Sequence, residues 1–293
     1  MIASPERCIV CGSRPRALFR RGDLSVVRCP ACGLEWLSPF PEEAAAGTMY
    51  GESYLRRWGI DGPEALARVR AMKESSYRSF LREIQRHRAG GRLLDVGCAL
   101  GFLLGVAREE GFDPYGMDLN PSAIEIARRE FGDRAQAGPL GPATFPGLRF
   151  DVITLIDVLE HAPDPGALLD LLRERLAPGG VIAAVLPNAA SLTRRILGRR
   201  WPHYACEHLW YWSPANLRRF LQDRGWIVRA LRTGIRKTYT ARYLHAYSAC
   251  LGGWLPPGLG ILGNMRLRIP TGEMMAVVTP VSSPLAAGDS LGR

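Results

Sequence analysis

Two groups of residues in this chain stand at spacings that suit chemistry. Cys8 and Cys11 form one C-x2-C pair and Cys29 and Cys32 a second, each closed by a glycine. The 17 residues between Cys11 and Cys29 form a loop that lets four thiolates surround one tetrahedral Zn2+. With all four positions taken by protein, such a site is structural. A redox dithiol or an iron–sulfur centre are the alternatives, although neither repeats the Cys-Pro-x-Cys-Gly pattern in this way. The second group lies in Arg92–Leu104, where an apolar run stops at Asp95-Val96-Gly97-Cys98 and restarts as a helix from Gly101-Phe102. Two glycines four apart let the backbone turn tightly and bring N–H groups near a ligand. The following helix adds its positive end.

These groups need a scaffold to hold them. The apolar run has no polar alternation, which suits a strand buried on both faces of a parallel sheet. A long amphipathic helix from Pro63 to about Arg88 leads into it. Beyond it, strands and helices alternate. Strands are expected at Tyr115–Met117, weakly near Arg134–Ala137, at Phe150–Ile156 and at Val181–Leu186. Helices are expected at Phe102–Glu110, Pro121–Phe131 and Gly166–Leu176. The series argues for an α/β, Rossmann-like doubly wound sheet with right-handed crossovers. Ligands then sit outside the carboxyl ends of the strands, where Asp95, Asp118, Asp157 and Asn188 fall. Asp118 stands about twenty residues past the first turn, where a carboxylate accepts ribose hydroxyls. The G-x-G-x-x-G of a dinucleotide site is missing. Asp95 beside the turn would repel a pyrophosphate but tolerate a sulfonium and an amine. The residues therefore point to S-adenosylmethionine rather than NAD.

At this point the chain resembles the class I S-adenosylmethionine-dependent methyltransferases. The resemblance rests on Leu94-Asp95-Val96-Gly97-Cys98-Ala99-Leu100-Gly101, Gly116-Met117-Asp118, Phe150-Asp151-Val152 through Asp157-Val158-Leu159-Glu160-His161, and Leu176-Ala177-Pro178-Gly179-Gly180. It covers about Arg68 to Pro280. It implies a seven-stranded sheet with an antiparallel last strand, Glu273–Thr279. Asp95, Gly97 and Gly101 would line the methionine end and Asp118 the ribose, with Cys98, Phe102, Leu119 and Asp157 also in the donor site. Ala99 stands where the family usually has a third glycine, and the Gln136-Ala137 region lacks the acid many members use for adenine.

Methyl transfer from a sulfonium is an in-line displacement that mainly needs alignment. A base helps when the acceptor is a hydroxyl or a carbon acid. The segment Trp201–Ser213 resembles, in part, the Glu-His segment of deoxysugar C-methyltransferases, which also carry a cysteine-rich zinc module. That resemblance implies Tyr204, Glu207 and His208 as the catalytic group. His161 is read as structural or as close to the donor.

Residues 1–40 are read as a zinc ribbon, 41–90 as connector and helix, and 91–280 as the methyltransferase domain. Residues 239–265 form an apolar insertion and 281–293 a disordered tail. Hydrophobic residues make up 47% of the 293 and mean hydropathy is −0.05, which suits a folded core and excludes wholesale disorder. No stretch reaches the ~18–20 apolar residues of a membrane helix. No apolar run follows Met1, and paired cysteines suit a reducing cytoplasm. The net charge of +10 favours an anionic partner, although Arg-rich composition alone explains it equally well. A sugar, glycan or lipid-linked acceptor, phosphorylated in some cases and gripped by Arg194, Arg195, Arg199 and Arg200, is the first reading. Residues 239–265 would meet a membrane, a substrate or a partner subunit. RNA methylation with the ribbon holding RNA, and non-catalytic donor binding, are the alternatives.

Overall fold

Parallel strands organise the molecule. The structure, a computed structural model, describes residues 1–45, 62–244, 263 and 265–281. Tyr50, Tyr54 and Trp58, most of 239–265, and the tail from 282 lie outside the described residues. Strands β1 (Arg16–Arg21), β2 (Leu24–Arg28) and β3 (Glu35–Ser38) follow the first cysteine pair. Then come helix α1 (Pro63–Gln85), β4 (Gly91–Val96), α2 (Phe102–Glu109), β5 (Phe112–Asp118), α3 (Pro121–Phe131), β6 (Ala135–Ala137) and β7 (Phe150–Ile156). Helix α4 (Pro165–Arg175), β8 (Leu176–Pro187), α5 (Leu192–Leu197), β9 (Trp210–Tyr211), α6 (Pro214–Gln222), β10 (Trp226–Thr240) and β11 (Arg266–Pro280) complete the chain.

The main sheet has seven strands in the order β10-β11-β8-β7-β4-β5-β6. Its β8-β7-β4-β5-β6 half is parallel, and β11 runs antiparallel to both neighbours. This is the expected Rossmann-like sheet. Leu94, Ile153, Leu155 and Leu186 are at most 1% exposed, as residues of a sheet covered on both faces must be. Helix starts are locally coded. Asn120 accepts from the Ser122 and Ala123 N–H groups with Pro121 in the first turn, Asp164 caps α4 in the same way, and Ser213 and Asn216 form a capping box at α6.

Three boundaries differ from expectation. β8 begins at Leu176, because Pro178-Gly179-Gly180 make an irregularity within the strand between Phe150↔Leu176 and Val152↔Val181 rather than a separate turn. β10 and β11 run well past the sheet, pairing Arg236–Thr240 with Arg266–Pro270 as a two-stranded arm. Lastly, β9 pairs with β3 in a second sheet of order β1-β2-β3-β9. The small cysteine-bearing sheet is thus completed by a strand from the far end of the chain.

Candidate active site

The expected donor turn is built from main-chain bonds. The Gly97 and Cys98 N–H groups donate to the Met117 carbonyl at 2.8 and 3.0 Å, which draws the end of β4 against the end of β5. The Ala99 N–H donates to Asp118 Oδ2 and the Asn120 N–H to Oδ1, both at 2.8 Å. Gly97 has φ +80°, and a Cβ there would meet Val158 Cγ2 at 2.7 Å. Only glycine satisfies both constraints. Ala99 takes φ +46°, the left-handed region, so the usual glycine of this position has a geometric reason that alanine meets at a cost of about 1–2 kcal/mol.

Burial and hydrogen bonds give the acids different characters. Asp95 is 4% exposed and accepts from Thr154 Oγ1 at 2.6 Å. Burial pushes its carboxyl up to about 7, against the Thr154 bond. Burial also raises Asp118, opposed by the N–H groups of Asn120 and Ala99. Leu119 beside it is 47% exposed, an apolar side chain left in water at a strand's carboxyl end. A ribose on Asp118 with a base against Leu119 fits this pair, so the residues present suit the expected donor. The Cys98 and Phe102 side chains instead point into the core, against Leu104 and Ile124 and against Val69 and Met72 respectively. Only their main chain can line the crevice.

Asp157 ends β7 with φ +55°, and both its oxygens accept from Lys237 Nζ at 2.9 and 3.0 Å. Lys237 also donates to Glu273 at 2.6 Å. Burial raises Asp157, but Lys237 and Lys73 outweigh it and hold the carboxyl at about 2. Lys237 and Glu273 were not legible as site residues, because nothing in the local sequence says that two antiparallel strands will bring them to the end of β7.

Beside Asp157 lies a histidine cluster. The His161 and His208 rings meet edge to face with centroids 4.7 Å apart, and His203 stacks on His208 at 5.8 Å. His161 Nδ1 lies 2.8 Å from the Glu207 carbonyl and His208 Nδ1 2.8 Å from the His203 carbonyl. A carbonyl can only accept, so Nδ1 carries the proton on both rings and Nε2 is left as the basic nitrogen. Burial lowers both imidazoles, His208 well below its ordinary value, with His161 and His203 adding to the effect there. Glu160 is fully buried, and neither of its carboxyl oxygens has a hydrogen-bond partner. Burial, with Asp157 next, raises it far above the carboxylate range. One ligand atom each from Glu160, His161 and His208 lies within 4.8 Å of the others. The set can accept a proton as it stands, or hold a divalent cation between carboxylate and imidazole donors.

The expected catalytic group is therefore only partly assembled. His208 sits in the cluster. Glu207 contributes its carbonyl, while its carboxylate accepts from the exposed Cys206 thiol at 3.4 Å. Tyr204 is 1% exposed, and its hydroxyl donates to Glu35 Oε2 at 2.6 Å.

The four cysteines of the small sheet come together as expected. Cys8 and Cys32 Sγ are 3.4 Å apart, Cys11 and Cys29 Sγ 3.3 Å, and all four lie within 4.8 Å of one another. Tetrahedral Zn–S bonds of about 2.3 Å would set the sulfurs roughly 3.8 Å apart, so the cluster is compatible with a small zinc ribbon.

Residues 68–231, more than half of the chain, match the family model for a methyltransferase domain. Among curated proteins, the chain is similar to the mitochondrial ubiquinone biosynthesis O-methyltransferase of Schizosaccharomyces pombe. They are 26% identical over 202 residues, covering 60% of this chain and 69% of that one. The ubiquinone biosynthesis O-methyltransferase of Psychrobacter arcticus is 36% identical over 124 residues, 39% of this chain and 48% of that one. The chain thus spans about half the length of the Psychrobacter relative. Among solved structures, it is similar to a chain from the complex of the Haloferax volcanii Trm112 methyltransferase activator with a candidate methyltransferase. The TM-score is 0.53 with 18% identity, over 77% of this chain and 96% of that one. The YcgJ protein of Bacillus subtilis gives a TM-score of 0.50 with 13% identity, over 71% and 99%. These structures show the fold, and with the family match the chain belongs to the S-adenosylmethionine-dependent methyltransferases.

Proposed function

We propose that this chain moves the methyl group of S-adenosylmethionine to an oxygen of a small-molecule acceptor held between the donor crevice and the histidine cluster. The observation that carries this reading is the convergence of both at the carboxyl ends of β4, β5 and β7. Asp118 and Leu119 would take the nucleoside, and the turn from Gly97 to Gly101 the methionine end. The donor supplies an activated methyl group. The chain's own part is to orient the acceptor, exclude water and take its proton. Nε2 of His208 is the unprotonated ring nitrogen that would take that proton, and Asp157, held ionised by Lys237, fixes the edge of the crevice. The O-methyltransferase names of the relatives support an oxygen acceptor. The acceptor class we favour is a sugar, glycan or lipid-linked intermediate, supported by the Glu-His segment beside a cysteine-rich module and by Arg195, Arg199 and Arg200; Arg194 is committed to Glu35 and Tyr204. One zinc ion on Cys8, Cys11, Cys29 and Cys32 would be structural.

Turnover of labelled methyl donor against nucleotide sugars, lipid-linked saccharides and quinone precursors tests this reading. Methyl transfer to one class, abolished in His208→Ala while donor binding persists, is the expected result. Full turnover in His208→Ala would sink the base assignment. Salt-dependent RNA methylation would replace the acceptor class.

A further inference from the structure

Besides ring contacts such as Phe19–Tyr204 and Phe40–Trp210, one buried carboxylate and one short strand join the ribbon sheet to the methyltransferase body. Glu35 follows Cys32 by three residues and is 3% exposed. Its Oε1 accepts from Arg194 Nη2 at 2.8 Å and its Oε2 from the Tyr204 hydroxyl at 2.6 Å. Arg194 Nε in turn donates to the Tyr204 oxygen at 3.0 Å. The same residue pairs in the sheet with Tyr211, and Trp36 pairs with Trp210. One step further, the Leu37 N–H donates to the Leu209 carbonyl at 2.9 Å. From its other edge this strand reaches the cluster. The Leu209 and Trp210 N–H groups both donate to the Glu160 carbonyl, at 2.9 and 3.1 Å, and the Trp210 indole donates to the Ala162 carbonyl at 2.8 Å. His208 lies between these two anchors, Tyr204 on one side and Leu209 on the other.

We propose that Glu35 is a positioning residue that latches the 201–212 segment, and with it His208, onto the ribbon, so that the ribbon is a working wall of the acceptor site. Strand β9 is only two residues long, too short to hold a register by itself, and its neighbours in sequence form no other strand. The Glu35–Tyr204–Arg194 triad supplies the missing constraint. Glu35 is buried and charged, with Arg28 Nε as a further, more exposed cation at 3.8 Å, so loss of a triad partner weakens the compensation of the rest. A ribbon that only stabilised the chain could have packed anywhere. This one is bonded to the segment that carries the cluster's second histidine. The inference rests on the methyl-transfer reading only for the consequence on turnover.

The test uses the zinc-loaded full chain, with histidine side-chain 1H–15N spectra as the first readout and calorimetric S-adenosylmethionine binding as the second. In wild type, His161 and His208 should both show the Nδ1–H tautomer. In Glu35→Ala, the His208 signals should shift and average between tautomers, with zinc content unchanged. Donor affinity should stay within about twofold, as expected for separated sites. Turnover should fall on the order of tenfold or more once an acceptor is in hand. Tyr204→Phe removes a single hydroxyl and should move the same signals in the same direction, which keeps the test decisive if Glu35→Ala does not fold. Removing zinc with a chelator should reproduce the shift. Histidine spectra of Glu35→Ala or Tyr204→Phe that superimpose on wild type would overturn the latch. Absence of donor binding in wild type would overturn the methyl-transfer reading, and the spectra would still decide the latch.

Discussion

Ala99, Asp95 and Lys237 each carry a consequence that a single substitution exposes. Ala99 sits at φ +46°, so Ala99→Gly relieves left-handed strain of about 1–2 kcal/mol and costs roughly 0.4–1 kcal/mol in unfolded-chain entropy. The variant should be slightly more stable in a denaturant melt; a marked loss would contradict the backbone reading. Asp95 has its folded pKa raised to about 7 by burial, above the roughly 3.9 of an unfolded aspartate. Between those values the folded state binds the extra proton. Its contribution is therefore full below the unfolded value and is lost as pH rises toward and through 7. Asp95→Asn should flatten the fall in stability between about pH 4 and 7, measured by melts across that range; an unchanged slope would place the raised group elsewhere. Lys237, with a side chain 8% exposed, holds Asp157 and the 2%-exposed Glu273. Lys237→Met leaves two carboxylates without their shared cation and should cost about 3 kcal/mol or more, read by chemical denaturation.

At the scale of elements, the parts visible in the chain were those with a local signature. The C-x2-C pairs, the glycines around Asp95, and the Pro-started, Asn- or Asp-capped helices all declare themselves within a few residues, and the strands of the parallel core followed from their apolar runs. Pairings between distant segments did not declare themselves. The β9 strand is two aromatic residues with no period to detect, and its Tyr211 pairs with Glu35, 176 positions earlier. Lys237 looked like one more cation in an Arg-rich chain until the β10–β11 arm brought it between Asp157 and Glu273. Glu207 was expected beside His208 in the catalytic group; its carbonyl lies against His161 and its carboxylate accepts from Cys206. The element-level prediction follows from β9. If the four cysteines hold zinc, chelating it should loosen β1–β3 and β9 together while β4–β8 keep their protection, checked by hydrogen exchange. Protection lost uniformly, or in the ribbon strands alone, would contradict the shared sheet.

On the proposed reading, the whole molecule would place donor binding and proton removal at the carboxyl edge of one sheet. The proposed donor crevice would sit over β4 and β5 and the proposed base cluster over β7, with the small cysteine-bearing sheet beside the cluster through the 201–212 segment. The two-stranded arm of β10 and β11 leaves the same edge, and Tyr239 and Tyr243 stack there with centroids 5.6 Å apart. This arrangement makes donor binding separable from proton removal. The most direct measurement is calorimetric titration of S-adenosylmethionine into the zinc-loaded chain, beside Asp118→Asn and His208→Ala. The structure predicts one donor per chain, binding lost or strongly weakened in Asp118→Asn and preserved in His208→Ala. No binding to the wild-type chain, or equal binding by Asp118→Asn, would contradict it.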